Sequence, residues 1–140
     1  MITIQSIIGQ ARRLGACELI DSVQTLDELI ALLFSAQGIE FCENTHYPND
    51  AAMRQIQQEI DLTRYGLYTD CGHAQIQNRY NIAIAGNTVA HIKANRNQQV
   101  YRILIFGGSA TIHASNYSVI RVINLGGRYN IINDGTAVIL

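Results

Sequence analysis

Ala90-His91-Ile92-Lys93-Ala94 returns twenty residues later as Ala110-Thr111-Ile112-His113-Ala114, and that near-copy constrains the fold more than any other feature of the chain. Val100–Gly108 (VYRILIFGG) returns nineteen residues later as Val119–Gly127 (VIRVINLGG). The one-residue slip falls in the polar stretch between the two strings, where an insertion costs little. A truncated third copy aligns Ile131 with Ile112 and Val138 with Val119. A shorter first copy runs from Ala74-Gln75-Ile76 to Ile82–Asn87. Each unit is two short strands joined at an Asn/Gly corner. Units of about 20 residues that cannot bury an inner face alone, but share one core when stacked, are the coils of a parallel β-solenoid. Their corners need Gly or Asn, which adopt the left-handed backbone at low cost, and seven of the eleven glycines lie in this half. An antiparallel meander or small barrel is the alternative, since it too shows strands at regular spacing with turn signals. Its strands, however, need not resemble their second neighbours at a fixed offset.

Residues 1–70 have a different texture. Ile4, Ile7, Ile8, Ala11 and Leu14 fall on one helical face, with Gly15 placed to end it. Thr25-Leu26-Asp27-Glu28 is a capping box opening a helix LDELIALLFSA, apolar nearly all round and stopped at Gly38. A helix that apolar is expected to be central and covered on most sides. After Tyr47-Pro48-Asn49, Asp50 is placed to cap a third helix to about Ile60, with Met53, Ile56 and Ile60 inward. Tyr65–Thr69 reads as a strand. The whole is an α+β protein, with a helical cap of about three helices on a C-terminal solenoid of roughly three to four coils.

Charge divides at the same seam. Residues 1–70 carry ten acids against four arginines, a net of −6, whereas residues 71–140 carry one acid, Asp134, against six bases, a net of +5. No Pro- or Ser-rich linker separates them, so 1–70 and 71–140 are an acidic and a basic subdomain of one globule. Apolar residues at 48% rule out disorder, and no apolar run approaches a membrane span. The start, MITIQSIIGQARR, has no basic region ahead of an apolar one, which argues against a secretory leader. Cys17, Cys42 and Cys71, odd in number and widely spaced, suit a reducing cytoplasm better than a disulfide framework.

The strings LIALLFSAQGIEFC (29–42), RYGLYTDCGHAQIQN (64–78) and ASNYSVIRV (114–122) resemble a group of small uncharacterised proteins of gut bacteria and their mobile elements. That group has no assigned activity or catalytic residues, so the resemblance implies none here.

Reactive chemistry is sparse. In Asp70-Cys71-Gly72-His73, Cys71 and His73 would share a side if the segment is a strand, the beginning of a nucleophile and base. Nothing completes a triad or an oxyanion hole, and a buried cysteine beside a connecting histidine is the plainer reading. Cys17, Cys42 and His46 lack the spacing that would make a metal site with Cys71 and His73. His91 and His113 sit two positions out of register on neighbouring coils, about 8 Å apart, too loose for a shared ion. Gly107-Gly108-Ser109 and Gly126-Gly127-Arg128 precede strands, not the helix a phosphate loop needs. No catalytic, cofactor or metal residue is therefore assigned. The helical half has the wrong sign for phosphate, which argues against a nucleic-acid-binding helix pair. Arg79, Arg102, Arg121 and Arg128 beside Tyr80, Tyr101 and Tyr129 offer a polyanion groove as a lesser alternative.

In Val100–Phe106 and Val119–Leu125 apolar residues occupy both parities, so both faces must be covered. One is the solenoid core; the other, carrying stacked Arg102 and Arg121, must meet the acidic helices or a partner. The chain reaches Val138, Ile139 and Leu140 inside the second strand of its last coil, with neither Lys nor Pro to blunt that edge. The expected function is non-catalytic interaction or assembly, by self-association with a dimer favoured, or with a protein partner. The sequence suggests no membrane partner. A small hydrolase or ligand-binding enzyme using Cys71 and His73, and a polyanion binder, are the alternatives.

Overall fold

The computed structural model describes residues 4–16, 20 and 22–140. Four α-helices lead among these residues: α1 (Ile4–Arg13), α2 (Leu26–Leu33), α3 (Ala36–Thr45) and α4 (Asp50–Gln57), followed by a 3₁₀ turn at Leu62–Tyr65. Nine strands follow: β1 (Leu67–Thr69), β2 (Gly72–Gln77), β3 (Asn81–Ala85), β4 (Thr88–Ala94), β5 (Val100–Ile105), β6 (Ser109–Ala114), β7 (Val119–Asn124), β8 (Arg128–Asn133) and β9 (Val138–Ile139). Every pairing is parallel. Odd strands form one sheet, β1-β3-β5-β7-β9, and even strands the other, β2-β4-β6-β8, so each coil contributes one strand to each sheet. This is a β-solenoid of about four turns, and the meander is excluded.

The sequence repeats are the stacking register. Ala90 pairs with Ala110, Ile92 with Ile112, and Ile112 with Ile131. Val100 pairs with Val119, and Val119 with Val138. Between the sheets lies a core of stacked Ile76, Ile92 and Ile112 from one side against Ile82, Ile103 and Ile120 from the other. Buried Tyr101 reaches through this core to accept the Arg96 backbone N–H on its hydroxyl at 3.2 Å. The corners turn in the left-handed region at Asn78, Gln98, Asn116 and Tyr117 as well as at glycines; Gln98 and Tyr117 depart from the expected Asn/Gly composition.

The outer face of the odd-strand sheet carries Leu67, Ala83, Ala85, Leu104, Phe106 and Ile123, and the helices cover it with Phe34, Ile39, Met53 and Ile56. Apolar residues on both parities thus mark a sheet buried on both sides, as expected. Three layers result: helices, odd-strand sheet, even-strand sheet.

The helical cap departs from its sequence reading at three points. The run from Leu26 breaks into two helices because Ser35 caps α3, accepting Gly38 N–H at 3.1 Å while donating to Leu32 C=O at 2.6 Å. Gly38 is therefore no stop. It lies inside α3, where a Cβ would overlap the Leu32 carbonyl, so it lets α3 cross the end of α2. Asn49, rather than Asp50, caps α4, accepting Ala52 N–H at 2.8 Å, and frees the Asp50 carboxylate to accept Gly86 N–H at 3.0 Å. Finally, α2 is not central: none of its residues is fully buried. Its side chains, with Ile7, Phe41 and Met53, line an apolar cavity of about 400 Å³ instead.

Candidate interaction surfaces

Among the described residues this architecture leaves open the last coil, the flank bearing Arg102 and Arg121, and the outer face of the even-strand sheet.

The last coil consists of β8, β9 and the corner between them. Asn133 ties that corner, its Oδ1 accepting Gly135 N–H at 2.9 Å and its Nδ2 donating to Ala137 C=O at 3.0 Å. Asp134 accepts Thr136 N–H at 2.8 Å and its hydroxyl at 2.6 Å. Those bonds, the hydroxyl first, hold the Asp134 carboxyl below its usual range. The coil is thus ordered by its own side chains, yet no strand lies against its far edge among the described residues. Inner positions show the consequence. Ile139 is 43% exposed although its register partner Ile120 is 0%, and Tyr129 is 45% exposed although its partner Ala110 is 2%. Val138 and Leu140 are also exposed. Val138 and Ile139 on β9 and Leu140 after it, with Tyr129 on β8, therefore leave the last coil with an exposed apolar end.

Arg102 and Arg121 pair in register on β5 and β7, stacked as the repeat implies. Arg102 is half-buried and Arg121 exposed, and among the described residues neither has a carboxylate partner within ion-pair distance. Asp70 of the helical half is engaged elsewhere: Arg54 Nε donates to it at 2.7 Å, and it also accepts Asn87 N–H at 2.7 Å. Both bonds, that from Arg54 first, hold the Asp70 carboxyl below its usual range.

The reactive-looking residues are dispersed. Cys71 donates its thiol to Thr69 C=O at 3.5 Å, and its backbone N–H to Thr88 Oγ1 at 3.2 Å. His73 stacks on His91 instead, with ring centroids 5.9 Å apart and planes within 12°. Cys42 is buried, and burial, joined by the Glu43 charge, pushes its thiol up to about 12, which makes it a poor nucleophile or ligand at neutral pH. Cys17 lies outside the described residues. Among the described residues no three His, Cys, Asp or Glu side chains stand together as metal ligands. Nor do the arginines and tyrosines of the supposed groove converge: Arg102 and Arg121 are on the odd-strand sheet, Arg128 on the even one, and Tyr101 is in the core.

The His73–His91 contact is what sequence reasoning missed. His91 pairs across from Gln75, and His73 from Val89, at an offset of 16 rather than 19 or 20. The first coil is shorter than the later ones, so the sequence repeat marks it only as a truncated copy beginning at Ala74 and leaves His73 outside the alignment. No helix among the described residues is long and apolar enough to cross a membrane. Comparison with family models, curated proteins and solved structures finds no match to this chain. Fold and surfaces together define a helix-capped, two-sheet parallel β-solenoid whose last coil carries exposed apolar side chains.

Proposed function

We propose that this chain is a non-catalytic assembly protein of the cytoplasm, whose solenoid end docks on the same end of a second copy. The reading rests on one observation: Ile139 and Tyr129 of the last coil are exposed, although their register partners Ile120 and Ala110 in the coil before are buried. Uncovered strand edges with apolar side chains are what natural proteins cover or pair. Since the closing corner is already fixed by Asn133 and Asp134, little ordering entropy opposes docking. A like-with-like contact is two-fold, so β9 meets its copy antiparallel and the assembly closes as a dimer rather than growing as a fibre. The free thiols Cys42 and Cys71 support a reducing compartment. Together with the resemblance to proteins of bacterial mobile elements, this suits an accessory or structural component of such an element.

Light scattering of the 140-residue chain at high micromolar concentration tests the reading. The parent should show twice the monomer mass, and Ile139→Lys, or deletion of Val138–Leu140, should reduce it to the monomer. A monomeric parent refutes the proposal, as does a dimer that neither change weakens.

A further inference from the structure

Among the described residues nothing covers the outer side of the even-strand sheet, and the side chains it presents there are unusual in kind. They are His73, Gln75 and Gln77 on β2; Val89, His91 and Lys93 on β4; Ser109, Thr111 and His113 on β6; and Arg128, Asn130 and Ile132 on β8. The parallel register sets them in three rows across the strands, a grid of about 4.8 Å by about 6.6 Å. Three of the four histidines of the chain are here, and there is no Asp or Glu. The charged groups at its margins are already engaged or of the same sign. Arg79 donates to Arg64 C=O and Arg96 to Asn78 Oδ1 beyond β2 and β4, while Asp70 is held by Arg54 before β2 and Asp134 by Thr136 after β8. Lys93 and Arg128 give the face +2 at neutral pH, and protonation of His73, His91 and His113 would bring it to +5.

We propose that this face binds an acidic polysaccharide, and binds it more tightly as pH falls through the histidine range. Charge complementarity selects an anion, and the flat grid selects an extended one carrying repeated charge. The amides of Gln75 and Gln77 and the hydroxyl of Ser109 suit a chain of hydroxyl groups between the charges, while Thr111 Oγ1 donates to Asn130 Oδ1 at 3.0 Å and leaves the Asn130 amide N–H groups facing outward. The face has no Phe, Tyr or Trp on which single-stranded nucleic acid would stack its bases. It also has no helix or ribbon standing out to enter a duplex groove. His73 and His91, already stacked ring on ring, offer their charge at one point of the grid rather than two.

Fluorescence anisotropy of a labelled oligogalacturonate at low salt, at pH about 7.5 and about 5.5, brackets the ordinary imidazole pKa of about 6.5 and leaves uronate carboxylates ionised at both. Affinity should rise about tenfold or more at the lower pH and fall with added salt. The triple change His73→Gln, His91→Gln and His113→Gln should abolish the pH response while leaving weak binding through Lys93 and Arg128. Lys93→Gln with Arg128→Gln should remove binding at pH about 7.5. These side chains stand on a solvent-facing sheet, and circular dichroism confirms that each variant is folded. Arg102→Gln with Arg121→Gln, on the opposite sheet, and Ile139→Lys, at the end, should bind as the parent does, which separates this surface from the dimer contact. No binding at pH about 5.5, a pH response that survives the histidine triple, or equal binding of oligo-dT overturns the proposal.

Discussion

Thr69 is buried at 2% exposure, and its hydroxyl has no hydrogen-bond partner. A buried hydroxyl without a partner carries a desolvation cost of about 1–3 kcal/mol that an apolar isostere does not. Thr69→Val should therefore leave the denaturation midpoint unchanged or raise it, by up to about 1–3 kcal/mol; a loss above about 1 kcal/mol would mean that the hydroxyl is bonded in solution. Thr25 is the opposite case, since its Oγ1 accepts Glu28 N–H at 3.2 Å and returns a bond to the Glu28 carboxylate at 3.1 Å. Thr25→Ala should cost about 0.5–2 kcal/mol, read from the same midpoint. The cap was legible in the sequence because Thr25 and Glu28 act within one turn. Gly38 and Asp50 were not, because their reasons lie elsewhere: in the Leu32 carbonyl that crosses Gly38, and in the Gly86 amide that takes Asp50. A sequence shows which residues suit a cap or a stop, but not which distant backbone group outbids that local role.

At the scale of elements, the repeat made the solenoid legible because identical inward positions stack on one another. Ile92 and Ile112 pair in register and are both fully buried. Either change to Ala should cost about 2–5 kcal/mol, and the double change should depart from the sum because the two share one cavity. Strict additivity in denaturant melts would mean that the coils do not pack as described. The attachment of the cap was beyond the sequence. Helix α4 is stitched to the coil corners by Arg54 to Asp70, Asp50 to Gly86, and Gln57 Nε2 to Thr69 C=O at 3.0 Å. Gly86 has φ of 62°, and a Cβ there would overlap the Asp70 carboxylate. Because Asp70 and Asp134 have folded-state pKa values below their unfolded value of 3.8, each contributes stability that is present above that value. This is lost as pH falls through the lower folded-state value. Stability should thus drop on acidification below about pH 4, and Asp70→Asn should reduce that drop while lowering the midpoint at neutral pH. An unchanged acid limb would show that the Arg54–Asp70 contact does not form in solution.

At the scale of the molecule, a solenoid is nearly one-dimensional, and each coil is held only by the coils beside it. The middle strands β3 to β6 have neighbours on both sides and inner residues that are fully buried, so their amides should open only with the whole fold. Strands β8 and β9, like β1 and β2 at the other end, have a strand neighbour on one side only, and in the monomer they should exchange hydrogen faster than the middle strands. Docking of a second copy on that end supplies the missing neighbour and stabilises the end by mass action. Amide protection in Arg128–Leu140 should therefore rise with protein concentration, whereas protection in β3 to β6 stays constant. Ile139→Lys should hold the terminal coil at its dilute rate at every concentration, because a buried, unpaired ammonium group opposes closure. Mass spectrometry of exchange at several dilutions reads both strands in one experiment. If the terminal coil of Ile139→Lys is protected as strongly as that of the parent at every concentration, a second copy does not cover this end, and the proposed dimer contact does not exist.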